Sequence, residues 1–351
     1  MTGRERVLTL LEGGRPDRLP FMPITMMRAA EHIGLKYRDY VTDHRVLAEA
    51  QVRIAEAFDI DHVSVISDPA REVSDLGGAV EWFENQPPAV IEQGALLADK
   101  SRLSGLRPPD FASAPRLSDR VEGVRLLRQR VGSQRIIEGW VEGPAAMAAD
   151  LRGVNRLMLD FFDDPDFVRK LFAFCVDMEL ETARAQIEAG ADIVGVGDAV
   201  ASLVGPQLYF RFVLPDEIRL VQAIRQLGAR VRLHICGKTR KLYAGMVQTG
   251  ADIIDLDFLT PMGEARAEMG PNQVLLGNVD PVRVMRDGTP EEVRAAFEEC
   301  YRQAGPRYIV GAGCEIPIGT PDANFYAARS VADALLRAAS TSVDGRSPSK
   351  L

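Results

Sequence analysis

The sequence predicts a single (β/α)8 barrel, the α/β fold known as the TIM barrel. Eight short apolar runs alternate with amphipathic helical patterns along the chain, and each run is apolar enough to be buried on both faces, as parallel strands are. No Gly-x-Gly-x-x-Gly follows the first run, which disfavours a doubly wound sheet. The eight predicted strands are 20–24, 62–66, 136–140, 192–196, 231–235, 252–256, 273–277 and 307–311.

The helical patterns between these runs carry start and stop signals. The segment TPEEVRAAFEEC places Thr289 as N-cap, Pro290 at the first helical position and Glu292 in a capping box, and Gly305 ends the helix. A long insert at 67–135 contains GGAVEWFENQPPAVIE, which is typical of a hairpin or lid. We therefore expect one barrel domain over 1–339 with a lid-like insert around 67–135, followed by a polar, disordered tail at 340–351.

Composition excludes several classes of protein. The 351 residues are 46% apolar and 26% charged, with a net charge of −8 and no basic run that would bind nucleic acid. No apolar run is long enough to span a membrane, and the charged start differs from a signal peptide, so we expect a cytoplasmic protein. Four cysteines are too few for a disulfide scaffold and are expected to be reduced.

Three metal-ligating side chains fall at the carboxyl ends of predicted strands, where barrel enzymes carry their chemistry. His234 and Cys236 are two residues apart and point to the same side of a strand, and Cys314 follows the last strand. Two thiolates and an imidazole are typical zinc ligands, and three of them leave a fourth position for substrate. A His-x-Cys pair alone is equally consistent with packing or hydrogen bonding, so both interpretations stay open at this point.

Carboxylates and other polar residues also follow the predicted strands. Asp68, Glu142 and Asp198 are candidate catalytic acids, although each could instead cap a loop or a helix. Asn278 and Asp257 are candidate substrate-binding residues, although Asn278 could simply shape its turn. The remaining histidines and cysteines are expected to be structural: His32, His44, His62, Cys175 and Cys300.

The motifs HICG, GADIIDLD, LLGNVDP, GTPEEV and GAGCEIPIGTP occur in that order. With them the chain resembles the uroporphyrinogen decarboxylase superfamily from about residue 3 to residue 338, and within it the branch of corrinoid-dependent methyltransferases. The resemblance implies one zinc ion bound by His234, Cys236 and Cys314. Glu142 and Asp198 are then candidates for a fourth resting ligand or a proton shuttle.

The chain departs from the decarboxylases at two motifs. Their Met-Arg-Gln-Ala-Gly-Arg-Tyr is MRAAEHI here, which keeps Arg28 as a candidate substrate-binding residue but replaces the second arginine by His32. Their Gly-His-Gly is replaced by Gly-Cys314-Glu315, and a substrate with many carboxylates would need several cations that this site lacks. Ser67-Asp68 does match the position of their catalytic aspartate.

The resemblance therefore implies a zinc-dependent methyltransferase. It would move a methyl group between a small molecule, either a thiol or a methoxy or methyl donor, and the corrinoid of a partner protein. No Asp-x-His-x-x-Gly cobalamin motif occurs here, so a separate carrier protein must supply the methyl-corrinoid. The alternatives are a porphyrinogen decarboxylase and a barrel that binds a tetrapyrrole or a corrinoid protein without turnover. Members of the superfamily are often dimers, so a homodimer is also implied.

Overall fold

A curled parallel β-sheet of seven strands forms the centre of the computed structural model, which describes residues 1–111 and 113–344. The strands follow one another in the sheet in chain order, with a separate two-stranded hairpin inserted after the first of them. The nine strands are β1 His62–Ser64, β2 Val80–Glu81, β3 Ala89–Val90, β4 Ile136–Glu142, β5 Ile193–Gly197, β6 Arg230–Ile235, β7 Ile253–Leu256, β8 Val274–Leu276 and β9 Tyr308–Ile309.

The predicted first strand, 20–24, is the exception to the expected eight-stranded barrel. Phe21 forms an isolated parallel bridge with Val310, the Met22 amide donates to the Val310 carbonyl, and the Phe21 carbonyl accepts from the Asp61 amide. Pro20 and Pro23 have no amide hydrogen, so this segment cannot form a regular ladder. The other seven predicted strands are present, with bounds that differ by a few residues.

Helices pack against the outer face of the sheet and connect its strands. They are α1 Gly3–Leu11, α2 Met26–His32, α3 Tyr37–Thr42, α4 His44–Phe58, α5 Ala70–Asp75, α6 Pro115–Val131, α7 Pro144–Arg152, α8 Val154–Asp163, α9 Pro165–Ala189, α10 Gly205–Leu208, α11 Leu214–Gln226, α12 Tyr243–Gln248, α13 Met262–Met269, α14 Pro290–Ala304 and α15 Asp322–Asp344. Within the described residues, no helix is both long and apolar enough to cross a membrane.

The cap signals read from the sequence are visible at α14. The Thr289 side chain accepts from the Glu292 amide while the Glu292 carboxylate accepts from the Thr289 amide, and Gly305 follows the last turn at φ +73°. Helix α15 runs into the segment predicted as a polar tail, and residues 345–351 lie outside the described residues.

The insert at 67–135 contains two helices, α5 and α6, and the antiparallel hairpin of β2 and β3. At the opposite end of the sheet, α1 covers the amino ends of the strands. Val7 and Leu10 pack there against a buried layer that includes Ile136, Ile193 and Ile253. The carboxyl ends of the strands are therefore the open end, and they face the insert.

Candidate metal centre

Three side chains from two separate chain segments meet at the open end of the sheet. His234 lies near the end of β6, Cys236 follows it directly, and Cys314 lies in the loop after β9. His234 Nε2 lies 3.0 Å from Cys236 Sγ, which lies 3.9 Å from Cys314 Sγ. All three ligand atoms lie within 4.8 Å of one another. The three residues predicted as zinc ligands therefore form one cluster.

The loops that carry the cysteines depend on two glycines. Gly237 turns the chain after Cys236 at φ +91°, and its amide donates to Asp257 Oδ2 at 2.8 Å. A Cβ atom on Gly313 would lie 2.2 Å from the Phe258 amide nitrogen, so only glycine lets this loop approach its neighbour. Both cysteines thus sit beside positions that need glycine.

A buried row of charged groups fixes the histidine from behind. Asp255, the neighbour of His234 across the β6–β7 ladder, places Oδ2 3.0 Å from His234 Nδ1. The same oxygen accepts from Arg232 Nη2 at 2.7 Å, and Arg232 Nη1 donates to Glu138 at 3.1 Å. A carboxylate at Nδ1 leaves Nε2 free to act as a ligand and holds the ring plane in position.

The hydrogen bond between the two thiols shifts their pKa values in opposite directions. The hydrogen bond from Cys236, opposed by burial and assisted by His234, lowers the pKa of Cys314 to about 4. The hydrogen bond to Cys314 and burial raise the pKa of Cys236. Burial alone would lower the pKa of His234, but the cysteine and Asp255 together raise it well above its ordinary value. This is a donor set whose protons a zinc ion would displace.

The residues present therefore fit zinc on the chemistry of the donors. Two sulfur atoms and one imidazole nitrogen converge without a fourth protein donor among the described residues of the cluster. Closed structural zinc sites have four protein ligands, whereas catalytic sites have three and keep an open position. This cluster corresponds to the second type.

A cavity of about 220 Å³ lies directly over the cluster. Its apolar wall includes Trp140, whose ring lies flat against β5, where a Cβ on Gly195 or Gly197 would come within 2.8 Å of ring atoms. The described residues that line it are Ile24, Met26, Ile66, Ser67, Asp68, Pro69, Pro87, Trp140, Glu142, Gly197, Ala199, His234, Cys236, Cys314 and Glu315.

Asp68 lines this cavity but is held in a buried ion pair. Its two carboxylate oxygens accept from Arg116 Nη1 and Nη2 at 3.0 and 2.9 Å, and from Ser67 Oγ at 2.9 Å. Burial would raise the pKa of Asp68, but Arg116 outweighs it and the pKa is lowered. Because Arg116 belongs to α6, the pair also ties α6 to the segment that follows β1.

Glu142 lines the same cavity at the end of β4. Its Oε1 accepts from Trp140 Nε1 at 3.2 Å. Burial, with the nearby Glu72 carboxylate, raises the pKa of Glu142 well above its ordinary value, which favours the protonated acid. The residue is thus positioned to give or take a proton at the cavity wall.

Glu315 also lines the cavity, although sequence reasoning did not select it as a site residue. Its Oε1 accepts from the Met27 amide at 2.6 Å, and burial raises the pKa of Glu315 to about 8. Asp255 was missed in the same way. Both could have been found from the sequence, because Glu315 follows the predicted ligand Cys314 and Asp255 lies on the strand next to the predicted ligand His234.

The other predicted site residues lie outside the cavity lining. The Asp198 carboxylate accepts from the Ala146 amide at 2.7 Å and caps α7. Asn278 donates to the Asp257 carbonyl at 3.0 Å, and Asp257 binds the amides of Gly237 and Leu259 at 2.8 Å, so both residues shape the loops behind Cys236.

Arg28, the third predicted substrate-binding residue, is also turned away from the cavity. Its guanidinium pairs with Asp322 at the start of α15 and donates from Nε to the Thr320 carbonyl at 3.3 Å. It also lies 5.6 Å from the ring centroid of Phe325. These contacts attach α2 to α15.

Comparison with known proteins gives a consistent picture of the fold and family. The sequence profile described as uroporphyrinogen decarboxylase (URO-D) matches residues 2–335. A solved structure, a methyltransferase from Methanosarcina mazei, superimposes with a TM-score of 0.87 over 96% of this chain and 99% of its own, at 21% identity. That similarity demonstrates a shared fold.

Two kinds of curated protein are similar over nearly the full length. The methylcobamide:CoM methyltransferase MtbA of Methanosarcina mazei is 29% identical over 92% of this chain and 95% of its own. The uroporphyrinogen decarboxylase of Synechococcus sp. is 27% identical over 93% of this chain and 97% of its own. Sequence identity alone therefore does not separate the two activities, and the site must do so.

Proposed function

The chain belongs to the uroporphyrinogen decarboxylase family, and on that premise we propose that it is a zinc-dependent methyltransferase. It moves a methyl group between a small molecule, a thiol or a methoxy or methyl donor, and the corrinoid of a partner protein. The observation that carries the proposal is the convergence of His234 Nε2, Cys236 Sγ and Cys314 Sγ within 4.8 Å beneath a cavity.

His234, Cys236 and Cys314 would hold the zinc ion. When bound, zinc supplies a Lewis acid that lowers the pKa of a substrate thiol or makes a methyl-bearing oxygen a better leaving group. In the thiol direction, a sulfur–carbon bond forms, and the cobalt–carbon bond of the carrier's corrinoid breaks with its electron pair staying on cobalt. The thiol proton leaves to solvent or to a carboxylate.

The surrounding residues have separate tasks in this proposal. Asp255 holds the imidazole ring so that Nε2 faces the cysteines, and Arg232 holds Asp255. Trp140 and the apolar wall keep water away from the sulfur nucleophile. Glu142 is the candidate proton carrier, because it lines the cavity and burial raises its pKa, which favours the protonated acid.

Asp198 has a different task from the one expected of a catalytic acid. We assign it the role of a positioning residue that caps α7, since its carboxylate is bound by the Ala145 and Ala146 amides. Asn278 and Asp257 position the turn after Cys236. Arg28 positions α2, the first turn of which borders the cavity.

The decarboxylase alternative is less compatible with this cavity. A porphyrinogen carries many carboxylates and needs several cations, whereas the described residues lining the cavity include no lysine or arginine. Asp68 matches the decarboxylases' catalytic aspartate in sequence but is neutralised here by Arg116.

The remaining parts of the proposal follow from the sequence. We propose a cytoplasmic protein whose segment 20–24 completes the barrel beside β9, whose insert 67–135 acts as a lid, and whose partner is a separate corrinoid carrier. A homodimer stays a prediction.

Methyl transfer in both directions tests the proposal. The zinc-loaded protein is mixed with methylcobalamin and a small thiol, or with cob(I)alamin and a methyl ether, and the cobalamin absorbance is followed. We expect turnover in at least one direction and its loss in Cys236→Ser. Cys300→Ser is the matched control, because Cys300 lies outside the cavity and its thiol contacts Asn278. Equal turnover in both variants would contradict the proposal.

A further inference from the structure

We propose that the small molecule bound at this centre carries no acidic group and is an uncharged thiol or an uncharged methyl ether. The inference rests on the proposed function and adds to it the charge class of the substrate. The observation behind it is the charge of the cavity wall, which contains three carboxyl groups and, among the described residues, no lysine or arginine.

An acidic group apart from the reacting sulfur or oxygen would find no lysine or arginine side chain among the described residues that line this cavity. Proteins bind carboxylates, sulfonates and phosphates through guanidinium groups, ammonium groups or the free amides of a helix N-terminus. An anion that leaves water without such a partner loses its hydration and gains nothing in return. Binding of an acidic substrate therefore requires an unpaired cation or unoccupied helix N-terminal amides near the cavity.

The arginines beside the cavity are already occupied. Arg71 donates to Ser67 and the Arg116 carbonyl, and Arg120 is paired with Glu72. Arg116 binds both oxygens of Asp68 at 3.0 and 2.9 Å, donates to the Val41 carbonyl at 2.9 Å and lies 5.0 Å from the ring centroid of Trp82. Arg28 is paired with Asp322 and donates to the Thr320 carbonyl. Releasing any of these guanidinium groups would leave a buried carboxylate or carbonyl without its partner.

The helix N-terminus that follows β4 is occupied as well. In α7 the amides of Ala145 and Ala146 donate to the Asp198 carboxylate at 3.3 and 2.7 Å. An anionic ligand group would have to displace Asp198 from that position. Lys238 follows the Cys236 turn, but its side chain is exposed to solvent and does not line the cavity.

The wall that remains suits an uncharged molecule. None of the three carboxyl groups of the wall, Asp68, Glu142 and Glu315, can neutralise a negative group. Ile24, Met26, Ile66 and Trp140 provide apolar contact for an uncharged body. An uncharged thiol or ether could thus place its sulfur or oxygen over the ligand cluster while the rest of the molecule packs against the apolar wall.

Calorimetric titration of the zinc-loaded full chain with two matched pairs of ligands tests the inference. One pair is 2-mercaptoethanol and 2-mercaptoethanesulfonate; the other is 2-methoxyphenol and 4-hydroxy-3-methoxybenzoate, so either direction of methyl transfer is covered. In at least one pair we expect the uncharged member to bind at least ~10-fold more tightly than its acidic partner. Equal or tighter binding of the acidic members, or no binding of either uncharged member, would overturn the inference.

Variants locate the effect in the cavity wall. Met26→Arg supplies the missing cation and should raise the affinity for the acidic members at least ~10-fold over Met26→Gln, its matched control. A folded Met26→Arg protein with no such gain would count against the inference. Tight binding of an acidic member that is lost in Lys238→Ala would also overturn it and would identify Lys238 as the anion partner.

Methyl-transfer assays with the same four ligands separate this inference from the proposed function. If methylcobalamin transfers its methyl group to neither thiol and neither ether is demethylated, the proposed function fails. Tighter binding of the uncharged members would still support the charge class of the cavity. Methyl transfer to 2-mercaptoethanesulfonate with an affinity equal to that of 2-mercaptoethanol would support the function and overturn the inference.

Discussion

Asp255 Oδ2 lies 3.0 Å from His234 Nδ1, on the side of the imidazole ring opposite Cys236, whose Sγ lies 3.0 Å from Nε2. The carboxylate is buried and is itself held by Arg232. The pair thus fixes which nitrogen of the histidine faces the cysteines, and it connects the candidate metal centre to the charged groups inside the sheet.

Replacing this carboxylate tests its role directly. We expect Asp255→Asn to bind zinc about 10- to 100-fold more weakly, because the histidine loses the group that orients it and increases its basicity. Competition with a chromophoric chelator measures the affinity. Asp252→Asn is the matched control, since Asp252 pairs with Arg230 at the other end of the same strands. Equal zinc affinity in Asp255→Asn and wild type would contradict the assignment.

The ion pair of Asp68 and Arg116 is predicted to be structural. Asp68→Asn leaves the buried guanidinium without its partner and should lower the free energy of unfolding by ~3–5 kcal/mol, measured by urea denaturation. Asp287→Asn breaks an exposed pair with Arg286 and should change it little.

The zinc content and the activity of folded Asp68→Asn separate a structural from a catalytic role of Asp68. We expect it to equal that of wild type, since Asp68 accepts hydrogen bonds from protein groups and is not one of the clustered ligands. Decarboxylation of uroporphyrinogen by wild type that is lost in folded Asp68→Asn would instead favour the decarboxylase interpretation.

The buried His62 is expected to make the free energy of unfolding depend on pH. Burial, with Arg232 nearby, lowers the pKa of His62 to about 3, whereas an unfolded histidine titrates near ~6.5. Between these values the unfolded chain binds the extra proton, so this residue makes the folded state less stable as the pH falls. From about pH 6.5 to about pH 5 the loss should be roughly 1–2 kcal/mol.

Denaturation at both pH values checks this dependence. His62→Gln removes the titrating group, so its stability should fall less over the same interval than that of wild type. His44→Gln is the control, because His44 lies outside the sheet interior, beside Asp119. The same decrease in His62→Gln as in wild type would contradict a neutral, buried His62.

Two glycines of β5 make room for the aromatic wall of the cavity. A Cβ on Gly195 would lie 2.2 Å from Trp140 Cε3, so Gly195→Ala must displace the ring. We expect a loss of ~1–3 kcal/mol in the free energy of unfolding and a shift in the tryptophan fluorescence spectrum. Gly94→Ala is the control, because an added Cβ there meets no atom within 4 Å. Unchanged stability and fluorescence in Gly195→Ala would show that Trp140 lies elsewhere.

The sequence predicted the elements whose residues are determined by local patterns. Seven apolar runs became parallel strands, and the strand-end positions of residues 234, 236 and 314 correctly placed these three side chains together. The first run, 20–24, does not form a regular strand because its two prolines lack the amide hydrogens that a ladder requires. Its apolar pattern alone does not show this constraint.

Polar residues at strand ends were harder to assign because their roles depend on partners distant in sequence. Asp198 is bound by amides 52 and 53 residues away, and Asp68 by an arginine 48 residues away. The neighbouring sequence therefore does not distinguish a capping or ion-paired carboxylate from a catalytic acid. Glu315 and Asp255 could have been selected from the sequence, because each is adjacent to a predicted zinc ligand. Glu315 follows Cys314 in the chain, and Asp255 neighbours His234 in the next strand.

Zinc content per chain, measured by mass spectrometry of the metal on wild type, Cys314→Ser and Cys300→Ser, tests the central claim most directly. We expect near one zinc per chain in wild type and in Cys300→Ser, and little in Cys314→Ser, because two ligands bind zinc far more weakly than three. A wild-type protein purified without chelator that contains no zinc, or a Cys314→Ser variant that keeps it, would contradict the account.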